Sequence, residues 1–126
     1  MRPGFIVVVC GLMSLPLSPS HGQDAAVSGE QAFNNSCRTC HTVKDGDNRV
    51  GPNLHNIIGR KAGSVASFPY SEAMKSSDIV WDERALLHFI EDPEAVVSGN
   101  GMKPYTGVRS AEDRAKIVAF LKSPGK

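Results

Sequence analysis

The chain has 126 residues, a length that suits a single domain. With 14 Lys+Arg against 13 Asp+Glu it has no strongly basic field, which argues against a protein that binds nucleic acid or an acidic membrane surface. Aromatic residues make up only 6% of the sequence, so a chain of this size has little apolar bulk with which to build its own core.

The first residues have the pattern of a secretory signal peptide. Arg2 precedes the short apolar run FIVVVCGLMSLPL, and small residues follow it. The run is too short for a comfortable membrane span, and Pro16 and Pro19 interrupt it; an uncleaved anchor is the alternative. We therefore predict a cleaved signal peptide at residues 1–22, a single domain at 23–126, and export to the periplasm.

Cleavage would leave a chain with no net charge and two cysteines. Arg2 and Cys10 would be removed, so that 13 Lys+Arg face 13 Asp+Glu in the remainder. Export would place Cys37 and Cys40 where disulfides persist, but one disulfide closing so short a loop would stabilise the fold poorly. The pair is therefore expected to have another role.

A helix and a long loop are predicted for the first half of the domain. Ser28 can cap a helix that begins in SGEQAF, runs to about Asn35 and buries Ala32 and Phe33. The segment 42–69 is rich in Gly, Asn, Asp, Pro and Lys, which predicts a loop. So long a loop is unusual in a compact domain unless it wraps around something.

Three further helices are predicted in the second half. YSEAMKSS favours a short helix from about Ser71, WDERALLHFIED a helix that Pro93 ends, and SAEDRAKIVAFLKS a helix that Ser110 caps. The segment SGNGMKPYTG, between the last two, is predicted to be loop. These two helices have apolar faces made by Leu86, Leu87, Phe89 and Ile90, and by Ile117, Val118, Phe120 and Leu121. No segment alternates as a strand, so the predicted class is all-α with long loops.

The pentapeptide CRTCH, residues 37–41, carries the strongest chemical signal. A zinc site normally needs four ligands, and only His55 and His88 remain as candidates beyond the motif. A thioredoxin-like dithiol would lie between a strand and a helix, whereas this pair follows a helix. Cys-x-x-Cys-His is the attachment pattern of c-type haem, in which two thiols add to the porphyrin vinyl groups and His41 lies under the iron. An ordinary disulfide is the remaining alternative. Haem would also supply the missing apolar core.

In six blocks that occur in order, the chain resembles class I cytochrome c, close to the mitochondrial and bacterial c2 types. The blocks are GEQAFNNSCRTCHTV, GPNLHNIIGRKAG, FPYSEAMK, IVWDERALLHFIEDPE, SGNGMKPYTGV and DRAKIVAFLK. The resemblance spans about Gly29 to Lys122 and implies the cytochrome c fold, with long loops around one covalently bound haem c. It also implies that Gly29 and Phe33 pack on the last helix at Ile117 and Phe120.

The resemblance implies how haem would be held. Cys37 and Cys40 would form the thioether bonds, and His41 and Met102 would be the two iron ligands. The carbonyl of Pro52 would accept the other ring N–H of His41, which fixes the orientation and basicity of the ring. A lone methionine is otherwise most often core filler, but Met102 lies among loop residues and not on a helical stripe.

Three further positions resemble donors to a buried haem propionate. Arg60, Tyr70 and Trp81 offer a guanidinium, a phenol and an indole N–H, and a buried carboxylate is costly unless it is hydrogen-bonded. Each could instead serve in packing or at the surface. His55 resembles the histidine that ties loops together, and His88 is expected to be solvated.

The sequence also departs from the family pattern on the distal side of the haem. Phe89 stands where a tyrosine is usual, and Met74 replaces a polar residue, so this side should be drier. One extra residue follows Met102 before Gly107, and either Pro104 or Tyr105 must shield the haem edge.

The resemblance implies a soluble periplasmic carrier, not an enzyme, that cycles between Fe(II) and Fe(III). We expect a monomer that meets a bc1-type complex and a terminal oxidase, reductase, photosynthetic centre or dehydrogenase through weak, salt-sensitive contacts. We expect no nucleic-acid partner and no stable membrane insertion. Arg38, Lys44 and Lys103 would surround the exposed haem edge near Cys37. Two alternatives stay open: a haem peroxidase or gas sensor, and a fixed electron-relay subunit of a periplasmic dehydrogenase.

Overall fold

Five α-helices make up the regular structure of the computed structural model, which describes Gly4 and residues 21–123, with side chains from residue 28. They are α1 (His21–Ser36), α2 (Glu72–Lys75), α3 (Glu83–Glu91), α4 (Pro93–Val96) and α5 (Ala111–Lys122). Within these residues the only β pairing is an isolated antiparallel bridge between Lys61 and Val80, so the predicted all-α class is confirmed. No helix in this part of the chain has the length and apolarity to cross a bilayer.

The N-caps explain where the last four helices begin. In each case a side-chain oxygen accepts a hydrogen bond from a backbone N–H that the first turn leaves unpaired. The capping residues of α2 to α5 are Ser71, Asp82, Asp92 and Ser110. The predictions for Ser71 and Ser110 are confirmed, as is the 42–69 loop, which contains no helix.

Two boundaries differ from the prediction. Ser28 is not an N-cap, because α1 already begins at His21; the preceding segment includes two alanines, the residue with the highest helix propensity. The sequence also missed α4, because Pro93 both ends α3 and occupies the first turn of a new helix capped by Asp92. The predicted signal peptide, residues 1–22, lies outside the described residues except for Gly4 and positions 21 and 22, and stays a prediction.

The contact between α1 and α5 closes the fold. A Cβ atom on Gly29 would lie 2.6 Å from the Lys116 carbonyl oxygen and 3.0 Å from the Phe120 Cβ, so only glycine allows the helices this close. The rings of Phe33 and Phe120 lie 5.3 Å apart between centroids, and Ile117 is fully buried. The predicted pairing of these helices is confirmed. Phe33 is buried and Ala32 only half-buried.

The apolar face of α3 packs on α5 from the other side. Leu86, Phe89 and Ile90 are buried and Leu87 is half-buried, close to the predicted pattern. Fully burying each such side chain contributes about 1.5–3 kcal/mol, so the helices form a stable frame for the loops. The 42–69 loop and the loop after α4 are attached to this frame and enclose the site described next.

Candidate functional site

A cavity of about 520 Å³ lies between the end of α1, the 42–69 loop, α2, α3, α5 and the loop after α4. Its volume is typical of small-molecule and cofactor sites, and its lining is mostly apolar. All eight positions that the sequence analysis assigned to a haem site line it: Cys37, Cys40, His41, Pro52, Arg60, Tyr70, Trp81 and Met102. The fold therefore brings together residues that are far apart in the sequence.

The two cysteines lie in the turn that follows α1. The Cys37 carbonyl accepts hydrogen bonds from the backbone N–H groups of Cys40 at 3.1 Å and His41 at 3.0 Å, which winds the pentapeptide tightly. Both side chains are half-buried free thiols. Burial, reinforced by the nearby Cys40, raises the pKa of Cys37 to about 11. A redox dithiol needs the opposite shift, so the pair suits attachment of a group through both sulfurs better than thiol exchange.

The alternative of a zinc site finds no support in the described side chains. Among them, no three His, Cys, Asp or Glu residues form a group that could hold a metal ion. Nδ1 of His55 donates to the Val43 carbonyl at 3.2 Å, while the Asn56 amide hydrogen-bonds Nε2 at 3.0 Å. His88 is exposed on α3. The predictions that His55 ties loop segments together and that His88 is solvated are confirmed.

The imidazole of His41 is held in one orientation. Its Nδ1 donates a 2.7 Å hydrogen bond to the Pro52 carbonyl, which leaves the lone pair on Nε2, the form that binds a metal ion. Burial lowers the pKa of His41, and although the bond to Pro52 opposes this shift, the ring is neutral near pH 7. The ring is 8% exposed and lines the cavity.

Gly51 makes room for this ring, a role that the sequence analysis missed. A Cβ atom at Gly51 would overlap the His41 imidazole, so a larger residue would push the ring or the backbone away. The Gly51 N–H also donates to the Cys40 carbonyl at 2.7 Å. The signal available in the sequence was a glycine directly before Pro52, the residue already expected to orient the ring.

The polar wall of the cavity suits an acidic group. The half-buried Arg60 guanidinium donates to the carbonyls of Asn53 at 2.6 Å and His55 at 3.1 Å, and no described carboxylate forms an ion pair with it. Trp81 is buried, yet its indole N–H donates to none of the described residues. The Arg60 charge is not neutralised by a described carboxylate, and both side chains line the cavity, so this wall fits a group that carries a carboxylate, whose burial is costly unless it is paired.

The phenol of Tyr70 completes this wall. Its hydroxyl accepts a 3.3 Å hydrogen bond from the backbone N–H of Val65, which leaves the hydroxyl proton available for donation. The ring packs edge-on against Phe68, with centroids 4.9 Å apart. Tyr70 can therefore donate into the cavity together with Arg60 and Trp81.

The apolar wall of the cavity contains two methionines. Met102 is half-buried in the loop after α4, whereas Met74 is buried on α2. The ring of Phe89 stacks against Trp81 with centroids 4.8 Å apart and offers no hydroxyl. Met74 and Phe89 thus make this wall apolar, in keeping with the drier distal side expected from the sequence.

Tyr105, and not Pro104, turns inward after Met102. The Tyr105 hydroxyl donates a 2.6 Å hydrogen bond to the Ile90 carbonyl, and the side chain is half-buried, whereas Pro104 is exposed. Burial raises the pKa of Tyr105 to about 12, so the phenol keeps the proton that it donates. Of the two residues expected to shield the cavity edge, Tyr105 fits better.

The mouth of the cavity combines positive charge with exposed apolar surface. Arg38, Lys44 and Lys103 are exposed, and Lys103 borders the cavity. Val50 lies on the rim and is 73% exposed, which makes it the more exposed of the two large hydrophobic residues at the surface of the described chain. Such a rim suits a short-lived contact with another protein.

Comparisons with known proteins agree with this geometry. The family model described as "Cytochrome C oxidase, cbb3-type, subunit III" matches residues 24–121. Cytochrome c2 of Rhodomicrobium vannielii is 46% identical over 75% of this chain and 75% of its own length. Cytochrome c2 of Blastochloris viridis is 39% identical over 91% of both chains.

A solved structure shows the same fold. Cytochrome cH from Methylobacterium extorquens superimposes with a TM-score of 0.69, covers 77% of this chain and 96% of its own, and is 34% identical in sequence. The sequence of the described domain therefore resembles those of cytochromes c2, and its architecture resembles that of cytochrome cH.

Proposed function

Because the chain belongs to the class I cytochrome c family, it binds one haem c covalently and is an electron carrier, and we propose that it works as a soluble one-electron shuttle of the bacterial periplasm. One observation above all supports this proposal. The eight positions that resemble the haem site of the family converge on one cavity of about 520 Å³, although they are spread from position 37 to position 102.

The proposed attachment uses residues of both cavity walls. Cys37 and Cys40 would hold haem through two thioether bonds, with Nε2 of His41 as one iron ligand and the thioether of Met102 as the other. The bound haem supplies an iron centre that takes up and releases one electron, and ligation by His and Met raises its potential. The apolar wall of Met74 and Phe89 would favour the less charged ferrous state.

The polar wall would bind a haem propionate. Arg60 supplies a positive charge without a described carboxylate partner, and Trp81 and Tyr70 supply donors that the protein leaves available. These groups would compensate the cost of burying an acid and fix the orientation of the cofactor. The residues of the chain thus bind and orient the haem and exclude water from it, while no side chain is needed as an acid or a base.

Export and partners are the finer part of the proposal. The N-terminal pattern of a signal peptide and the similarity to two cytochromes c2 support a periplasmic location. The exposed cations Arg38, Lys44 and Lys103, of which only Lys103 lines the cavity, support weak, salt-sensitive contact with redox proteins, such as a bc1-type complex on one side and an oxidase, reductase or dehydrogenase on the other. Gel filtration of native periplasm would give a free monomer; elution bound to one dehydrogenase would instead indicate a fixed relay subunit.

The ferric absorption spectrum of the purified protein tests the carrier function. We expect a weak charge-transfer band between the Met102 thioether and iron that persists at neutral pH, because the distal ligand would stay bound. A high-spin spectrum with rapid peroxide turnover would contradict the proposal and favour a haem peroxidase or a gas sensor.

A further inference from the structure

The carboxylate of Glu94 accepts hydrogen bonds from the segment that leads from α4 to Met102. One oxygen, Oε1, accepts hydrogen bonds from the Ser98 hydroxyl at 3.0 Å and from the Gly99 backbone N–H at 2.9 Å. The other, Oε2, accepts from Nδ2 of Asn100 at 3.0 Å. A single exposed side chain thereby fixes three consecutive residues of the loop.

Asn100 passes this constraint on to Met102. Its side chain is 8% exposed, and besides Glu94 its Nδ2 donates to the Val97 carbonyl at 3.1 Å. Its Oδ1 accepts a 2.7 Å hydrogen bond from the backbone N–H of Met102. The amide can take only this orientation, because the flipped amide would set Oδ1 against the carboxylate and an NH₂ group against the Met102 N–H.

The backbone of this loop has little rigidity of its own. Gly99 and Gly101 flank Asn100 with φ of 78° and 83°, values that glycine adopts readily and that leave these positions flexible when nothing holds them. A Cβ atom placed on either glycine would meet only side-chain atoms of α2 or its cap, at 3.5 Å, so neither position is confined by close packing. Beside the main-chain bonds from Asn100 to Val97 and from Lys103 to Gly101, the hydrogen bonds of Glu94 and Asn100 therefore restrain the Met102 backbone.

We propose that Glu94 and Asn100 are positioning residues that hold the Met102 thioether in place as the distal ligand. The inference rests on the proposed function, in which Met102 ligates the haem iron. Glu94 acts on Met102 through Asn100 and through the Ser98–Gly99 segment that it fixes, and neither Glu94 nor Asn100 is itself a ligand. A neutral thioether is a weak ligand, so the pre-organisation of its backbone decides how easily another ligand replaces it.

The electrostatics of Glu94 agree with this role. The Gly99 N–H, the Ser98 hydroxyl and the positive charge of Lys103 hold the pKa of Glu94 below its usual value, so the side chain is a carboxylate near pH 7. Hydrogen bonds to a carboxylate are stronger than those to a neutral acceptor. Replacing Glu94 by an uncharged residue of the same shape therefore weakens the restraint without removing volume.

The experiment titrates imidazole into the ferric holoprotein, because imidazole binds the iron only where the distal ligand leaves. Glu94→Gln should increase the affinity for imidazole about tenfold and weaken the thioether–iron charge-transfer band. Asn100→Asp should act in the same direction, because its carboxylate repels Glu94. Glu112→Gln is the matched control: it removes an exposed, hydrogen-bonded glutamate on α5 and should leave both readouts at wild-type values.

A double variant separates positioning from general destabilisation. In Glu94→Gln/Asn100→Asp the amide and the carboxylate change places, so the bond between the two side chains can form again with donor and acceptor exchanged. The rise in imidazole affinity should then be clearly smaller than the product of the two single effects. Independent, multiplying effects would contradict the proposed chain of contacts.

The outcomes also separate this inference from the proposed function. If the wild-type protein has no thioether–iron band, Met102 is not the ligand, and both proposals fail together. If the wild type has the band but Glu94→Gln binds imidazole like Glu112→Gln, Met102 is the ligand and only the positioning role is overturned.

Discussion

The cavity walls that carry His41 and Met102 are held in place by different kinds of contact. Around His41, main-chain groups bond to one another: the Gly51 N–H donates to Cys40 and the Leu54 N–H to Thr42, both at 2.7 Å. The Met102 loop, by contrast, depends on the side chains of Glu94 and Asn100. Main-chain bonds occur in this loop too, from Asn100 to Val97 at 3.1 Å and from Lys103 to Gly101 at 2.9 Å, but the bonds that link Met102 back to α4 come from side chains.

This difference predicts how each wall responds to substitution. The main-chain bonds of the His41 wall persist whichever side chains are present, so substitutions should disturb these bonds only through a clash or the loss of a ligand. Side-chain bonds of His55 and Arg60 to loop carbonyls add to them. The Met102 wall can be altered in small steps, since a single side-chain hydrogen bond contributes only about 0.5–1.5 kcal/mol. The His41 wall should therefore determine how stably haem is attached, and the Met102 wall should determine how far substitutions can adjust the ligation of the iron.

The largest expected effect is on the His41 side, from Cys40→Ala. The variant lacks one of the two thiols, so it should carry at most one thioether bond, through Cys37. The pyridine–haem absorption spectrum distinguishes one thioether from two. A spectrum with two thioethers would show that Cys40 is not an attachment point.

The next largest effect is expected on the opposite wall, from Met102→Ala. Haem should stay covalently attached, because the cysteine turn is untouched, while the reduction potential should fall by at least about 60 mV, a tenfold change in a one-electron equilibrium. Redox titration measures the potential. Met74→Ala removes a buried methionine from the same cavity without removing a ligand, so it should lower the potential less. An unchanged potential in Met102→Ala would exclude Met102 as a ligand.

A smaller effect is expected from Gly51→Ala behind His41. The added methyl group overlaps the imidazole, so the backbone must shift, at a cost of about 1–3 kcal/mol in the free energy of unfolding. Urea unfolding of the ferric protein measures this cost. Val50→Ala, at the exposed neighbouring position, should change stability little; equal effects of the two variants would mean that the ring has room to spare.

The smallest effect is expected from Tyr105→Phe in the Met102 loop. It removes the 2.6 Å hydrogen bond to the Ile90 carbonyl and should lower the free energy of unfolding by about 1 kcal/mol. Urea unfolding is again the measurement, with the content of covalent haem as the control. A loss of several kcal/mol would mean that the Met102 wall is as rigid as the His41 wall.

The sequence predicted the His41 side well because its signals are local. CRTCH is contiguous, whereas the role of Pro52, eleven residues after His41, followed from the family resemblance. Gly51 was missed because nothing in the sequence says that the His41 ring lies against it. The capped starts of α2 at Ser71 and of α5 at Ser110 were predicted correctly, whereas the start of α1 was not, since helix propensity extended it past Ser28.

The Met102 side was predicted only in part. The position of Met102 followed from the family pattern, but the bonds of Glu94 and Asn100 depend on a loop that folds back on a four-residue helix. Glu94 looks like any exposed acid in the sequence, and α4 is too short to show periodicity. Contacts of this kind follow from the exact backbone path, which propensity and spacing do not specify.

The close approach of α1 and α5 at Gly29 has a consequence for how loops of this chain can change in length. The two helices lie near opposite ends of the described sequence, so their contact closes the chain between them into one large loop. The entropy of closing such a loop rises only with the logarithm of its length, by about 0.6 kcal/mol for each doubling. An added residue, such as the one between Met102 and Gly107, therefore costs almost nothing in closure, and insertions can reshape the rim without loosening the helix pair.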